Sequence, residues 1–315
     1  MHPALSVIFF TTLSGAGYGL LVWTALGALL RQPPRPLLVS LLLALLLVSI
    51  GLLSSLAHLG KPQRAWRAMS QWRTSWLSRE GVASLVTYVP ALLLAVALLP
   101  GSIAASDNGT AVTFNVFGNG SAAALVFCSL ATVICTAMIY ASLKPIPAWR
   151  HRLVLPVYLL FALWCGGVLA LAILAWHGIA TGTLALWLAG GGAIALAACK
   201  RRYWRDIDAS PLPATRGDAV GLPARTVTVF ERPHTEANYL TREMGYVVAR
   251  RHSRRLRRLA VMLFTIVPLL CILAAGALPA PALWYSAAAL SALLGAFVER
   301  WLFFAEAKHL VTLYY

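Results

Sequence analysis

Charge is what this chain has least of. Only 11% of its 315 residues are charged, and Asp and Glu together number 10, where a soluble domain carries about 25% charged residues. That scarcity excludes a large solvated surface. Cysteine is sparse as well. The five, Cys128, Cys135, Cys165, Cys199 and Cys271, fall within or at the ends of apolar runs, and none forms a C-x-x-C pair. This argues against an iron–sulfur cluster or a zinc site in the chain and reads as small buried hydrophobes. No P-loop, dinucleotide fingerprint or nucleophile elbow is present.

What the chain has is hydrocarbon. Hydrophobic residues make up 60% of it and the mean hydropathy is +0.76. Apolar runs of about 20 residues suit a hydrocarbon core roughly 30 Å thick. Eight such runs occur, at about 5–30, 37–57, 81–99, 121–141, 153–175, 182–199, 259–277 and 282–305. The first starts with His2 and Pro3 rather than a basic region, so it reads as a span and not a cleaved signal peptide. The expectation is an all-α integral membrane protein, eight transmembrane helices in a bundle, forming one polytopic domain over 1–315. Seven histidines are present, and none sits mid-span. A membrane b-haem needs two that face each other, so no haem is expected.

Basic residues collect on one side. The second loop carries Lys61, Arg64, Arg67, Arg73 and Arg79, and the fourth Lys144, Arg150 and Arg152. The opposite side has Arg31 and Arg35. By the positive-inside rule the rich side is cytoplasmic, which predicts a bacterial inner-membrane protein with both termini cytoplasmic. The sixth loop, 200–258, adds fourteen Lys and Arg. Its first half is rich in Pro, Gly and Ala and reads as extended. Its second half spaces Tyr239, Leu240, Met244, Val247 and Val248 as a helix would, either packed on a partner or simply running into the seventh span. A net charge of +16 confined to one membrane face points to anionic lipid and an acidic docking partner rather than nucleic acid.

The most informative stretch is 54–85, SSLAHLGKPQRAWRAMSQWRTSWLSREGVASL, between the second and third spans. It holds His58 at the end of one span and Glu80 at the start of the next. Ionisable groups at a membrane edge mark a site by default. A two-electron quinone step moves two protons, and His with a partly buried carboxyl can exchange them near water. Plainer roles compete. Ser78 could cap helix three and leave Glu80 in its first turn, and His58 could bind lipid headgroups or a carbonyl. Arg64, Arg67, Arg73 and Arg79 read as a docking or lipid-facing surface. Gly15, Gly17 and Gly19 suggest a close helix contact, and Glu299 with Arg300 a local ion pair.

At these residues the sequence resembles the DMSO reductase anchor subunit (DmsC-like) family. The resemblance runs through MHPALSVIFFTTLSGAGYGL (1–20), SLAHLGKPQRAW (55–66), LSRE (77–80), IYASLKPIPAW (139–149), TREMGYVVARRH (241–252) and ERWLFF (299–304). It implies a quinone-binding anchor, taking ubiquinone or menaquinone, without haem. The implied partners are a four-cluster iron–sulfur subunit and a molybdopterin catalytic subunit. His58 and Glu80 match the family's quinone residues, and Arg64 and Tyr140 match further family positions. A motif loop on the cytoplasmic side points to the sulfite dehydrogenase branch, in which electrons pass to quinone. The alternative is the quinol-oxidising anchor of a DMSO-type reductase. A secondary transporter, the alternative of another class, would place ionisable groups at mid-membrane, whereas here they gather at one face.

Overall fold

The computed structural model describes residues 4–57, 59–104, 116–210, 212–223, 225–231 and 248–314. Among these the regular structure is entirely helical, with no strand. In hydrocarbon every backbone N–H and C=O needs a partner within the protein, and a helix supplies nearly all of them from its own segment. The elements are α1 (Leu5–Leu29), α2 (Pro34–Leu56), a 3-10 segment (Pro62–Gln71), α3 (Trp76–Ala104), α4 (Val116–Ala141), α5 (Val154–Trp176) and α6 (Thr183–Ala209). After these come the short α7 (Arg216–Ala219), α8 (Val248–Val261), α9 (Val267–Ala277) and α10 (Pro281–Ala305). Eight helical stretches are long and apolar enough to cross a membrane, with α8 and α9 forming one of them through a π-helical turn at Met262–Ile266. The chain is an all-α integral membrane protein, with eight spans among the described residues.

Helix α1 is the central one and packs against α2, α4, α5 and α10. The crossing with α5 depends on glycine. A methyl at Gly19 would collide with the Ala162 backbone, and one at Gly166 with the backbone of Gly19 and Leu20. Gly17 likewise faces the backbone of α2, whereas Gly15 faces open space. The expected contact therefore uses two of the three glycines. Trp23 seals the same crossing by donating its indole N–H to the Leu163 carbonyl at 2.8 Å.

The seventh span passes through its π-turn just before Pro268, which lacks the N–H that would bond the Phe264 carbonyl four residues back. Trp164 on α5 donates to that carbonyl at 2.7 Å, and Ser291 on α10 donates to the Leu263 carbonyl at 2.8 Å. Neighbouring helices thus re-satisfy the backbone that proline and the π-turn free.

Helix α6 runs ten residues past the expected end of the sixth span, so the first part of the 200–258 loop is helix. The cause is burial: Lys200, Tyr203 and Trp204 all pack into the bundle. Further along, the stretch read as extended contains the α7 turn. It is closed by a capping box in which Thr215 and Asp218 bond each other reciprocally, and the Thr215 backbone and hydroxyl donors hold the Asp218 carboxyl below its ordinary range. Tyr239, Leu240, Met244 and Val247 lie outside the described residues.

Candidate functional site

The 3-10 segment lies across the start of α3. Ser78 donates its hydroxyl to the Ala68 carbonyl in that segment, and Arg79 donates to the carbonyls of Trp72 at 3.0 Å and Arg73 at 2.6 Å. Ser78 therefore ties this segment down as a strap and is not the helix cap. The helix begins earlier, and the Ser75 hydroxyl, 3.5 Å from the Ser78 N–H, faces the first turn instead. On the outer side Trp66 and Trp72 are more than half exposed, with the Arg67 and Arg73 guanidinium groups over their rings at 5.6 and 5.5 Å. Amphipathic rings flanked by cations suit a membrane–water interface.

Beneath this strap lies a cleft of about 680 Å³, within the 300–1,000 Å³ range of organic ligand sites. Leu52, Leu53 and Leu56 of α2 form one wall, and Leu77, Glu80, Gly81, Ser84 and Leu85 of α3 the other. Ala4 just before α1, Val7 and Phe10 of α1, and Ile139 and Tyr140 of α4 close the back, and Ala65, Trp66, Ala68 and Met69 form the roof. Leu53 and Leu85 also face outward, exposed by 65% and 55%, so the cleft opens between α2 and α3 on the apolar flank of the bundle.

Glu80 is the one carboxyl among the described residues that line it. It is 5% exposed, and Ser84 donates to its backbone carbonyl at 2.7 Å and lies 3.3 Å from its Oε1. Tyr140 shares the cleft wall, held edge-on against Trp149 at 5.4 Å and Phe304 at 5.2 Å. Trp149 is itself fixed by an N–H bond to the Phe303 carbonyl at 3.0 Å. The structure thus brings Glu80 and Tyr140 into one site. Arg64 is exposed on the strap and is not among the lining side chains. His58 lies outside the described residues, while Leu56 and Leu59 on either side of it both line the cleft.

Sequence reasoning missed a second polar cluster. Lys200, Glu299 and Arg300 are all at least 97% buried. The Glu299 carboxylate meets Lys200 Nζ at 2.5 Å and Arg300 Nε at 2.6 Å. Arg300 lies 4.0 Å over the Tyr158 ring, and Lys200 lies 4.2 Å over Tyr203. Glu299–Arg300 was legible as a pair, but Lys200 reads as the first residue of a basic loop. No sequence signal ties Lys200 to that pair. Nearby, Arg257 clamps Asp208 at 2.6 Å and Glu306 at 2.9 Å. Burial pushes the Glu306 carboxyl above its usual range, and Arg257 partly opposes this. His151 pairs with Asp206 at 3.2 Å. Among the described residues no group of three or more His, Cys, Asp or Glu is placed to hold a metal ion.

An eight-span helical bundle with a cleft that opens on its apolar flank under a basic strap defines a class, the polytopic membrane subunit. Within it, the profile of the DMSO reductase anchor subunit (DmsC) family matches residues 1–305, and the chain belongs to that family. It is also similar to the C subunit of the sulfite dehydrogenase from Allochromatium vinosum. The two are 34% identical over 340 aligned positions, covering 100% of this chain and 99% of the relative. The resemblance read from 54–85 and the other motifs therefore holds along the full length.

Proposed function

We propose that this chain is the quinone-binding membrane anchor of a molybdenum and iron–sulfur oxidoreductase, in the sulfite dehydrogenase branch, and that it passes electrons to quinone. The observation that carries this reading is the cleft between α2 and α3. It has the size for a quinone ring, opens to lipid where an isoprenoid tail would leave, and holds one buried carboxyl. The donor set fits the group. Trp66, Tyr140 and Trp149 would flank a flat ring, while Glu80 and His58 would meet its oxygens.

A quinone, when bound, supplies the two-electron chemistry, taking up two electrons and two protons to become quinol. Glu80 would carry protons between the cleft and the water beyond the strap, and His58 would hydrogen-bond one ring oxygen. The strap, with Arg64, Arg67 and Arg73 exposed, would receive an acidic iron–sulfur subunit directly over the cleft. That keeps the electron path short without a haem. The molybdopterin subunit would dock beyond it. The sulfite branch rests on the full-length similarity to a sulfite dehydrogenase component and on the basic face being cytoplasmic, with the chain in the bacterial inner membrane.

The test is substitution in the assembled complex. A lost proton-transfer group typically costs about 10²–10⁴-fold in rate, so Glu80→Gln and His58→Asn should lower quinone-linked turnover by that order. Turnover with a soluble artificial acceptor should be unchanged in both. Full quinone-linked activity in both variants would overturn the site.

A further inference from the structure

Directly behind the cleft, the interior of the bundle contains a small cavity between α1, α4, α5 and α10. Its volume is about 20 Å³, and about 10–15 Å³ suffices for one water molecule. What lines it is unusual for a membrane interior. Thr12 Oγ1, Tyr18 OH, Tyr158 OH and Arg300 Nη1 are all buried and none makes a well-aligned hydrogen bond, although the Tyr18 hydroxyl lies beside Ser84 and the Tyr158 hydroxyl beside the Arg300 guanidinium; all four residues line this one cavity. Each of the four residues is at least 94% buried. Buried polar groups are almost always partnered by protein or ordered water. Four buried polar groups with unfilled hydrogen-bonding capacity around a water-sized space therefore fit a ligand that can both donate and accept.

The cavity is joined to the cleft on two sides. Tyr140 of the cleft wall stacks on Tyr158 of the cavity wall, with ring centroids 6.0 Å apart and planes 24° apart. Tyr18 lies beside Ser84 and within electrostatic reach of Glu80, and the Ser84 hydroxyl, which donates to the Glu80 backbone carbonyl, also lies 3.3 Å from the carboxyl Oε1. On the far side, Arg300 carries a fixed positive charge that Glu299 shares with Lys200.

We propose that this cavity is an internal water site, and that Tyr18 is a positioning residue linking Glu80, through Ser84 and this water, to the Arg300 guanidinium. The ionised form of a buried carboxyl needs donors turned toward it, and chains of hydrogen bonds polarise one another in a low dielectric. When Glu80 gives up its proton, the Tyr18 hydroxyl and the water reorient so that their donors point toward the carboxylate, and the Arg300 charge is felt along the chain. When Glu80 is protonated they relax. No proton passes through arginine; the link compensates charge while the proton itself moves between Glu80, the quinone and external water. This inference rests on the quinone site proposed above.

The experiment is redox-difference infrared spectroscopy of the purified complex in lipid nanodiscs, together with a high-resolution density map of the same preparation. The protonated Glu80 carboxyl band is identified as the one lost in Glu80→Gln. Tyr18→Phe and the isosteric Thr12→Val should both shift it, while Thr12→Ser, which restores the hydroxyl, should return it to the wild-type position. The map should show a water-sized peak within hydrogen-bond distance of Tyr158 and Arg300. An empty cavity, or a Glu80 band unmoved by Tyr18→Phe and Thr12→Val, overturns the inference. Absence of any Glu80 band on quinone reduction instead overturns the proposed quinone site, and the density still decides the water site on its own.

Discussion

At the scale of single residues, the structure keeps its few intramembrane charges by pairing them. Removing one partner from a buried ion cluster is strongly destabilising, by about 3–5 kcal/mol, because it leaves uncompensated charge. Glu299 is the shared partner of Lys200 and Arg300, so Glu299→Gln leaves two buried cations facing each other. It should lower the thermal unfolding midpoint sharply and reduce the amount of assembled complex, as measured by a thermal-shift assay and blue-native gel. Lys200→Met should be milder, since Arg300 still neutralises Glu299. A Glu299→Gln protein as stable as wild type would mean that the cluster contributes nothing. Legibility at this scale was uneven. Glu80 stood out because a carboxyl beside a span is rare, and Tyr140 entered through family resemblance. Lys200 did not stand out, because its partner lies 99 positions away on another helix. Only packing brings Tyr18 and Thr12 to the same cavity as Arg300.

At the scale of elements, hydropathy located all eight spans, since length and apolarity are set by the bilayer itself. It did not place their ends where a helix continues into polar sequence, as α6 does to Ala209. There the bundle buries Tyr203 and Trp204 and carries the helix onward. The tie between Trp164 and the Phe264 carbonyl was equally invisible, although Pro268 announces that one carbonyl in the seventh span needs an outside donor. Trp164→Phe should leave that carbonyl unpaired, at a cost of about 1–3 kcal/mol. Hydrogen exchange should quicken around residues 262–268, with little change near α2. The strap offers a contrasting test, because Ser78 holds it through one side-chain bond. Ser78→Ala should loosen the roof of the cleft, raising the apparent KM for quinone while leaving turnover with a soluble acceptor intact.

At the scale of the whole molecule, a basic strap, a roofed cleft beneath it and an apolar flank are the arrangement that the proposed passage of electrons from a docked partner into the membrane requires. The charge asymmetry that suggested this arrangement could be read from short loops alone. The cleft could not, because its lining comes from α1, α2, α3, α4, α10 and the turn before α5 at once. Orientation follows from the same asymmetry: reporter fusions at the C-terminus and in the 59–75 loop should both report the cytoplasm. A periplasmic signal at the C-terminus would move the account from the sulfite branch to an exported reductase. The central claim is that quinone binds at this cleft, and photolabelling tests it most directly. A photoreactive quinone analogue, irradiated in membranes carrying the assembled complex, should label peptides spanning residues 52–56, 65–69 and 77–85, and excess natural quinone should compete the label away. Competable labelling confined to the opposite membrane face, around His177 at the end of α5, with none on α2 or α3, would contradict it.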